Sequence, residues 1–401
     1  MINRVKDLFS TPRAMATIHL PQGAYRGIER DGILTYHNIP YAAPFKRFQA
    51  PEPPEPSEEI HDATHFGALC PQKPSRLTIV TGPMPSDCGP QDEYHCNVLS
   101  IYAPIASSHD LLPIICFAHG GKFMGGGSQV SWYDGSRLAR DAHAIVICIN
   151  YRLGAFGNLQ TERRQLPCAT RDVVRALDAG AFHMSTMLQI RPDLLRRAII
   201  QSRPGGISQT VAKQVEVREM INEALPHGVT LDSATTAQLL EAQTRTMMAS
   251  PGMLPPFLPT VSEHHHKPSK RKFQVLLGWN KDDYSCFAKL SNMDLKSGAI
   301  LLSHTLVKHP STELADLFRK DGHDFTLFEL SWRGEGCELG AVHCIDLPMV
   351  FGTEEAWKAA PMLGSTPWEE WDRRGKILRL AWGAFARDGT KPRSVEGLTV
   401  F

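Results

Sequence analysis

Residues 112–123, LPIICFAHGGKF, and residues 133–157, YDGSRLARDAHAIVICINYRLGAFG, decide how the rest of the chain is read. In the first, a short apolar run stops at His119-Gly120-Gly121-Lys122-Phe123. In the second, the run at 144–149 closes on Asn150-Tyr151-Arg152-Leu153-Gly154. Val/Ile-rich runs of this length, bounded by glycine and charged turns, suit central strands of a parallel or mixed sheet. Two glycines straight after such a strand serve a tight turn, or a backbone whose N–H groups come close to an oxyanion.

Together the two blocks resemble the signature region of the type-B carboxylesterases, the family that includes cholinesterases and many fungal and bacterial esterases. The resemblance implies an α/β-hydrolase fold, with a mixed, mostly parallel central sheet and helices on both faces. It also implies an oxyanion hole at Gly120, Gly121 and Lys122. Lys122 stands where the family has a glycine, so its N–H is kept and a side chain is added. Cys70 and Cys96 occupy positions resembling the family's first disulfide, although a reducing cytosol would keep them as thiols.

Composition narrows the field. The chain has 401 residues, 42% hydrophobic, with a formal net charge of +1, enough for a large core and without the charge bias of a nucleic-acid or membrane-surface binder. We expect a single domain over 1–401 carrying a cap-like helical insertion at about 211–260. No apolar run approaches the roughly 20 residues of a membrane span, and the first residues lack a signal-peptide core. A cytoplasmic protein is therefore expected. The nine cysteines form no Cys-x-x-Cys pair, and no metal or cofactor is expected.

Upstream of the central blocks, residues 23–42 read as a hairpin turning at Asp31-Gly32, and 98–102 as an edge strand. Downstream of Gly157 the family continues through a helix, a strand and a Gly-x-Ser-x-Gly nucleophile elbow. Here the helix and the text after the serine are recognisable, and the strand and elbow between them read as deleted. In the simplest alignment Asp178 takes the serine's place, in Ala176-Leu177-Asp178-Ala179-Gly180. The stretch 170–190 is expected to form one long or Gly180-kinked helix, which makes Asp178 a helix residue rather than a nucleophile. Ser185 and Ser202 lack flanking glycines and are weak substitutes.

The resemblance returns at FQVLLGWNKDDYSCFA, a strand over Phe273 to Gly278 followed by Asn280-Lys281-Asp282-Asp283, where Asp283 falls at the position at which the family carries the acid of its triad. The family has glutamate there, so this carboxylate is shorter by one methylene. It returns again at GAVHCIDLPMVFGT, where Gly340, Asp346, Pro348 and Phe351 match around His343. Histidine suits a general base because its pKa lies near neutrality. The three histidines at 264–266 read as a solvated loop. Near the C-terminus, Thr366 and Glu369 suggest a capping box, and Trp368, Trp371, Leu378, Trp382 and Phe385 form one apolar stripe of a helix stopped at Gly389.

Three functional readings follow. The first is a carboxylic ester hydrolase acting on a small ester or lactone through an acyl-enzyme, inactive as written if no serine serves. The second is a non-catalytic binding protein on the same scaffold. The third is a hydrolase using Asp178 as nucleophile. The partner is a small-molecule ester, with no nucleic acid; oligomeric state is not legible.

Overall fold

The computed structural model describes residues 14–44, 47–106, 111–159, 173–177, 179–190, 193–206, 208–250, 255–259 and 271–401. Twelve strands of these residues form one sheet: β1 (Ala14–Leu20), β2 (Gly23–Arg30), β3 (Ile33–Pro40), β4 (Ile60–Asp62), β5 (Val98–Pro104), β6 (Ile114–Ala118), β7 (Ile145–Ile149), β8 (Val173–Leu177), β9 (Arg197–Gln201), β10 (Gln274–Asn280), β11 (Asp324–Leu330) and β12 (Leu398–Val400). Their order is β1-β2-β3-β5-β7-β6-β8-β9-β10-β11-β12, with β4 beside β2. The block β7-β6-β8-β9-β10-β11 is parallel throughout. Antiparallel strands flank it on both sides.

The hairpin forms at the expected place. β2 and β3 pair antiparallel, and Asp31 and Gly32 take φ of 51° and 76°, the left-handed pair that a two-residue turn needs. The strand read as an edge is interior: β5 lies between β3 and β7. Edge or interior position depends on partners distant in sequence, which a local pattern does not record.

The larger correction concerns 170–190. No continuous helix fills it. Val173–Leu177 is a parallel strand paired to β6 on one side and β9 on the other, and a helix runs Ala179–Ile190. The central strand is therefore present and the sheet has no gap. Two ladder neighbours satisfy its backbone on both sides and override the helical look of the segment, while Val173 and Val174 add β-branched character.

Alternation along the strands feeds two layers. Ile115 and Phe117 of β6 join one core with Trp371, Leu378, Trp382 and Phe385 of the C-terminal helix Trp368–Asp388. Cys116 and Ala118 face the other side, with Ala181, Met184 and Leu188 of the Ala179–Ile190 helix and Leu314 and Phe318 of the helix His309–Lys320. Helices thus cover both faces, as a parallel sheet requires. The helices Val211–Ala224 and Thr236–Ala249 pack together in a third cluster with Leu153 and Phe156.

The C-terminal helix ends at Gly389, φ 84°, as its sequence indicates. The expected capping box does not form: Pro367 is the cap residue, and the Thr366 hydroxyl accepts the backbone N–H of Glu335 instead. A tertiary donor competes for the oxygen that the local motif would use.

Arg379 anchors this helix. Fully buried, it donates to Asp141 Oδ2 at 2.6 Å, Asp372 Oδ1 at 2.7 Å and the Met349 carbonyl at 2.6 Å. Arg379→Met removes one of the two cations beside Asp141 and Asp372, leaving them to Arg137, and strips the Met349 carbonyl of this donor. A loss on the order of 3 kcal/mol is expected, read as a lower urea midpoint with unchanged m-value.

Candidate active site

The chemistry gathers at the carboxyl ends of β6, β8 and β10. β10 ends at Asn280, whose N–H donates to Asp283 Oδ2 at 3.1 Å, while Asp283 N–H returns to the Asn280 carbonyl at 3.2 Å. This tight turn holds a fully buried carboxylate. The loop before the helix Asp346–Phe351 is laid beside it by a pair of backbone bonds, Asp282 N–H to Ala341 O at 3.1 Å and His343 N–H to Asp283 O at 3.1 Å. Gly340 is required there. Its φ is 70°, and a Cβ would lie 2.2 Å from Asp282 Oδ2.

The result is a hydrogen bond of 2.6 Å between His343 Nδ1 and Asp283 Oδ1, with both side chains buried. A carboxylate only accepts, so Nδ1–H is the donor and Nε2 is left as the basic nitrogen. Burial disfavours the imidazolium, but the neighbouring Cys344 and Asp283 outweigh it and hold the His343 pKa well above the usual 6.5. Beside the pair, burial pushes the Cys286 thiol up to about 12 against the pull of His343 and Lys122, so it is no nucleophile near neutral pH.

The glycine loop leaves β6 at Ala118. His119 stacks on Tyr151 with ring centroids 4.2 Å apart, and Tyr151 donates its hydroxyl to the His119 carbonyl at 2.5 Å. Gly121 has φ 110°, and a Cβ there would strike the Gly125 carbonyl at 2.1 Å. Lys122 and Phe123 follow at φ 51° and 60°. The Gly121 carbonyl closes the turn by accepting Met124 and Gly125 N–H at 2.9 and 3.1 Å.

The start of the Ala179–Ile190 helix sits against this loop. A Cβ on Gly180 would lie 2.3 Å from the Ala118 carbonyl and 2.8 Å from that of His119. The one glycine retained from the elbow pattern therefore has a steric reason. Asp178 falls between the last residue of β8 and the first of this helix, and lies outside the described residues.

Loop and histidine pair face each other. Lys122 Nζ is 3.7 Å from the centroid of Phe287 and 5.7 Å from that of Tyr284, and those rings lie 6.0 and 6.2 Å from the His343 ring. The sequence reading missed both aromatics; the side chain added at Lys122 was the one local sign of a new contact.

The two substitute serines are placed otherwise. Ser185 donates to the Phe182 carbonyl at 2.9 Å and accepts from Arg203 Nε at 3.0 Å. Ser202 directly follows β9 at φ 51°, fully buried, and its hydroxyl has no partner among the described residues. Neither hydrogen-bonds His343. Cys70 and Cys96, the disulfide positions implied by resemblance, are unbonded here. They are buried neighbouring thiols, and burial together with Cys96 raises the Cys70 pKa. Among the described residues no three His, Cys, Asp or Glu are grouped to hold a metal, and no helix is long and apolar enough to cross a membrane.

Residues 14–178 match the model of the carboxylesterase family. A probable N-octanoylanthranilate hydrolase, AqdA2, of Rhodococcus erythropolis is 28% identical over 429 aligned positions, covering 93% of each chain. The para-nitrobenzyl esterase of Bacillus subtilis is 38% identical over 140 residues, 34% of this chain and 27% of that one. Among solved structures, a thermophilic PNB esterase superposes with a TM-score of 0.78 at 22% identity, covering 94% of this chain and 92% of that one. The Geobacillus stearothermophilus carboxylesterase EST55 gives 0.74 at 20% identity, with 94% and 92% covered. The sheet is that of an α/β-hydrolase, and residues 14–178 are similar to the carboxylesterase family.

Proposed function

We propose that the protein hydrolyses a small carboxylic ester or lactone. His343 Nε2 acts as general base and acid, Asp283 fixes its tautomer and stabilises the imidazolium, and backbone N–H groups of Gly120, Gly121 and Lys122 receive the oxyanion. The observation that carries this reading is the buried 2.6 Å bond between His343 and Asp283, facing the loop that holds Lys122. Relatives named as esterases, and one named as an acylanthranilate hydrolase, are consistent with an acyl-transfer site.

Asp178 in the serine's sequence position changes what the chain can do. Without an attacking hydroxyl, His343 can still activate water against an acyl group held by the oxyanion loop. Removing a triad serine elsewhere leaves about 10³–10⁴-fold catalysis over water, and that is the activity expected of this chain.

A second reading has gained support from the fold. The objection to an aspartate nucleophile was that no strand preceded it, and β8 supplies one. Attack by the Asp178 carboxylate on an alkyl carbon would form an ester as the leaving group departs, and water activated by His343 would then cleave that ester.

The test is hydrolysis of 4-nitrophenyl butyrate across pH. His343 must be neutral to accept a proton, and its pKa is raised, so kcat/KM should fall as pH drops through a value above 6.5. His343→Gln should abolish the excess over background. Turnover unchanged in that variant contradicts the proposal. Absence of turnover in the parent chain leaves the binding-protein reading. Single turnover of an epoxide or alkyl halide in ¹⁸O-water, with label recovered in the peptide containing Asp178, selects the aspartate mechanism.

A further inference from the structure

We infer that Asn280 is a positioning residue that holds Asp283 and His343 in register, and that Gln201 of the neighbouring strand fixes its amide in the orientation this needs. The inference rests on the reading of His343 and Asp283 as base and acid. Asn280 is the last residue of β10 and is fully buried. Its backbone N–H and carbonyl are both taken by the Asp283 turn, through the carboxylate Oδ2 and the Asp283 N–H. Its side chain reaches a different segment: Nδ2 donates to the Val342 carbonyl at 3.2 Å, one residue before His343. That bond lies between the two backbone bonds that dock this loop, from Asp282 N–H to Ala341 O and from His343 N–H to Asp283 O. One residue therefore grips the acid with its main chain and the loop of the base with its side chain.

The direction of the amide follows from its partners. A carbonyl only accepts, so Nδ2 must face Val342 and Oδ1 must face away from it. Oδ1 then meets Gln201 Nε2 at 3.2 Å, across the parallel pairing of β9 with β10. Turning the Asn280 amide over would set its oxygen against the Val342 carbonyl and its NH₂ against the Gln201 donor, breaking both bonds at once. Gln201 thus acts as a stop.

Stability does not account for this pair. Gln201 is fully buried, and its own Oε1 has no hydrogen-bond partner among the described residues. A buried acceptor left unpaired is unfavourable, and an apolar side chain of the same shape would spare the sheet that oxygen. Removing the Gln201 amide is nearly balanced, since it takes away one unpaired oxygen and leaves another at Asn280 Oδ1. What is lost is the orientation of the Asn280 amide.

The test follows the titration of His343 by NMR on histidine-labelled protein, with its resonance assigned by loss in His343→Gln. In the parent, burial disfavours the imidazolium but Cys344 and Asp283 outweigh it, so titration is expected above 6.5. In Gln201→Met and Asn280→Leu it should move to lower pH, because the bond to Asp283 loosens while burial remains. Neither substitution removes Cys286, Cys344 or Lys122, the other ionisable groups acting in this pocket. Gln201→Met should keep the parent's thermal midpoint, and it should lower any ester kcat on the order of tenfold with KM little changed. That variant decides the matter even where Asn280→Leu does not fold. A His343 titration in Gln201→Met identical to the parent's overturns the inference, whether or not the thermal midpoint falls. A shifted titration with no ester turned over by the parent upholds the positioning role and removes the esterase reading, so the two fail separately.

Discussion

Asp178→Ser is expected to raise kcat for 4-nitrophenyl butyrate by at least about 10³-fold over the parent chain. Loss of a triad serine costs on the order of 10⁶; restoring one to a turn that was not selected to present it should recover a part of that. Three features favour recovery. β8 is a fully flanked parallel strand, the helix Ala179–Ile190 begins one residue later, and Gly180 lets that helix start against the Ala118 carbonyl. A parallel strand followed closely by a helix is the frame on which a nucleophile elbow is built. Ala176 replaces the first glycine of the pattern, and that is the reason to expect less than full recovery. Steady-state assay of the purified variant against the parent checks the figure, and a gain below tenfold would mean that position 178 does not face His343.

In that same variant, Asp283→Asn should lower kcat by about 10⁴-fold, the effect known for an amide replacing the triad acid. The amide keeps the volume of a fully buried side chain. It offers an N–H to His343 Nδ1 where a carboxylate accepted one, which flips the tautomer and leaves Nε2 protonated. The shorter reach of aspartate is met by a close approach, since the His343 backbone N–H already bonds the Asp283 carbonyl. A loss under tenfold at neutral pH, with the thermal midpoint unchanged, would show that another group orients the histidine.

How much of this was legible in the sequence varied with the range of the cause. The glycine loop, the Asp31-Gly32 turn, Asp283 after its strand and His343 after Gly340 could all be read, because each rests on turn chemistry or an apolar run within a few residues. Resemblance ordered them along the chain. β8 was not legible: Arg175 interrupts its apolar run, and its stability comes from β6 and β9, which lie far away in sequence. The interior place of β5 and the loss of the Thr366 cap to Glu335 have the same origin. So does the aromatic seat of Lys122, where the sequence showed an extra side chain but not Phe287 beneath it. The candidate acid–histidine pair was thus readable from local motifs, while β8 and the aromatic neighbours of Lys122 came from tertiary pairing.

The central proposal is that this chain keeps the histidine, acid and oxyanion loop of an esterase while Asp178 takes the serine's place in the sequence. Intact-mass analysis after exposure to a fluorophosphonate, run in parallel on the parent chain and on Asp178→Ser, tests it most directly. The account predicts no adduct on the parent and a one-to-one adduct on the variant, mapped to position 178. An adduct on the parent at Ser185 or Ser202, or no adduct on a folded variant, would contradict it.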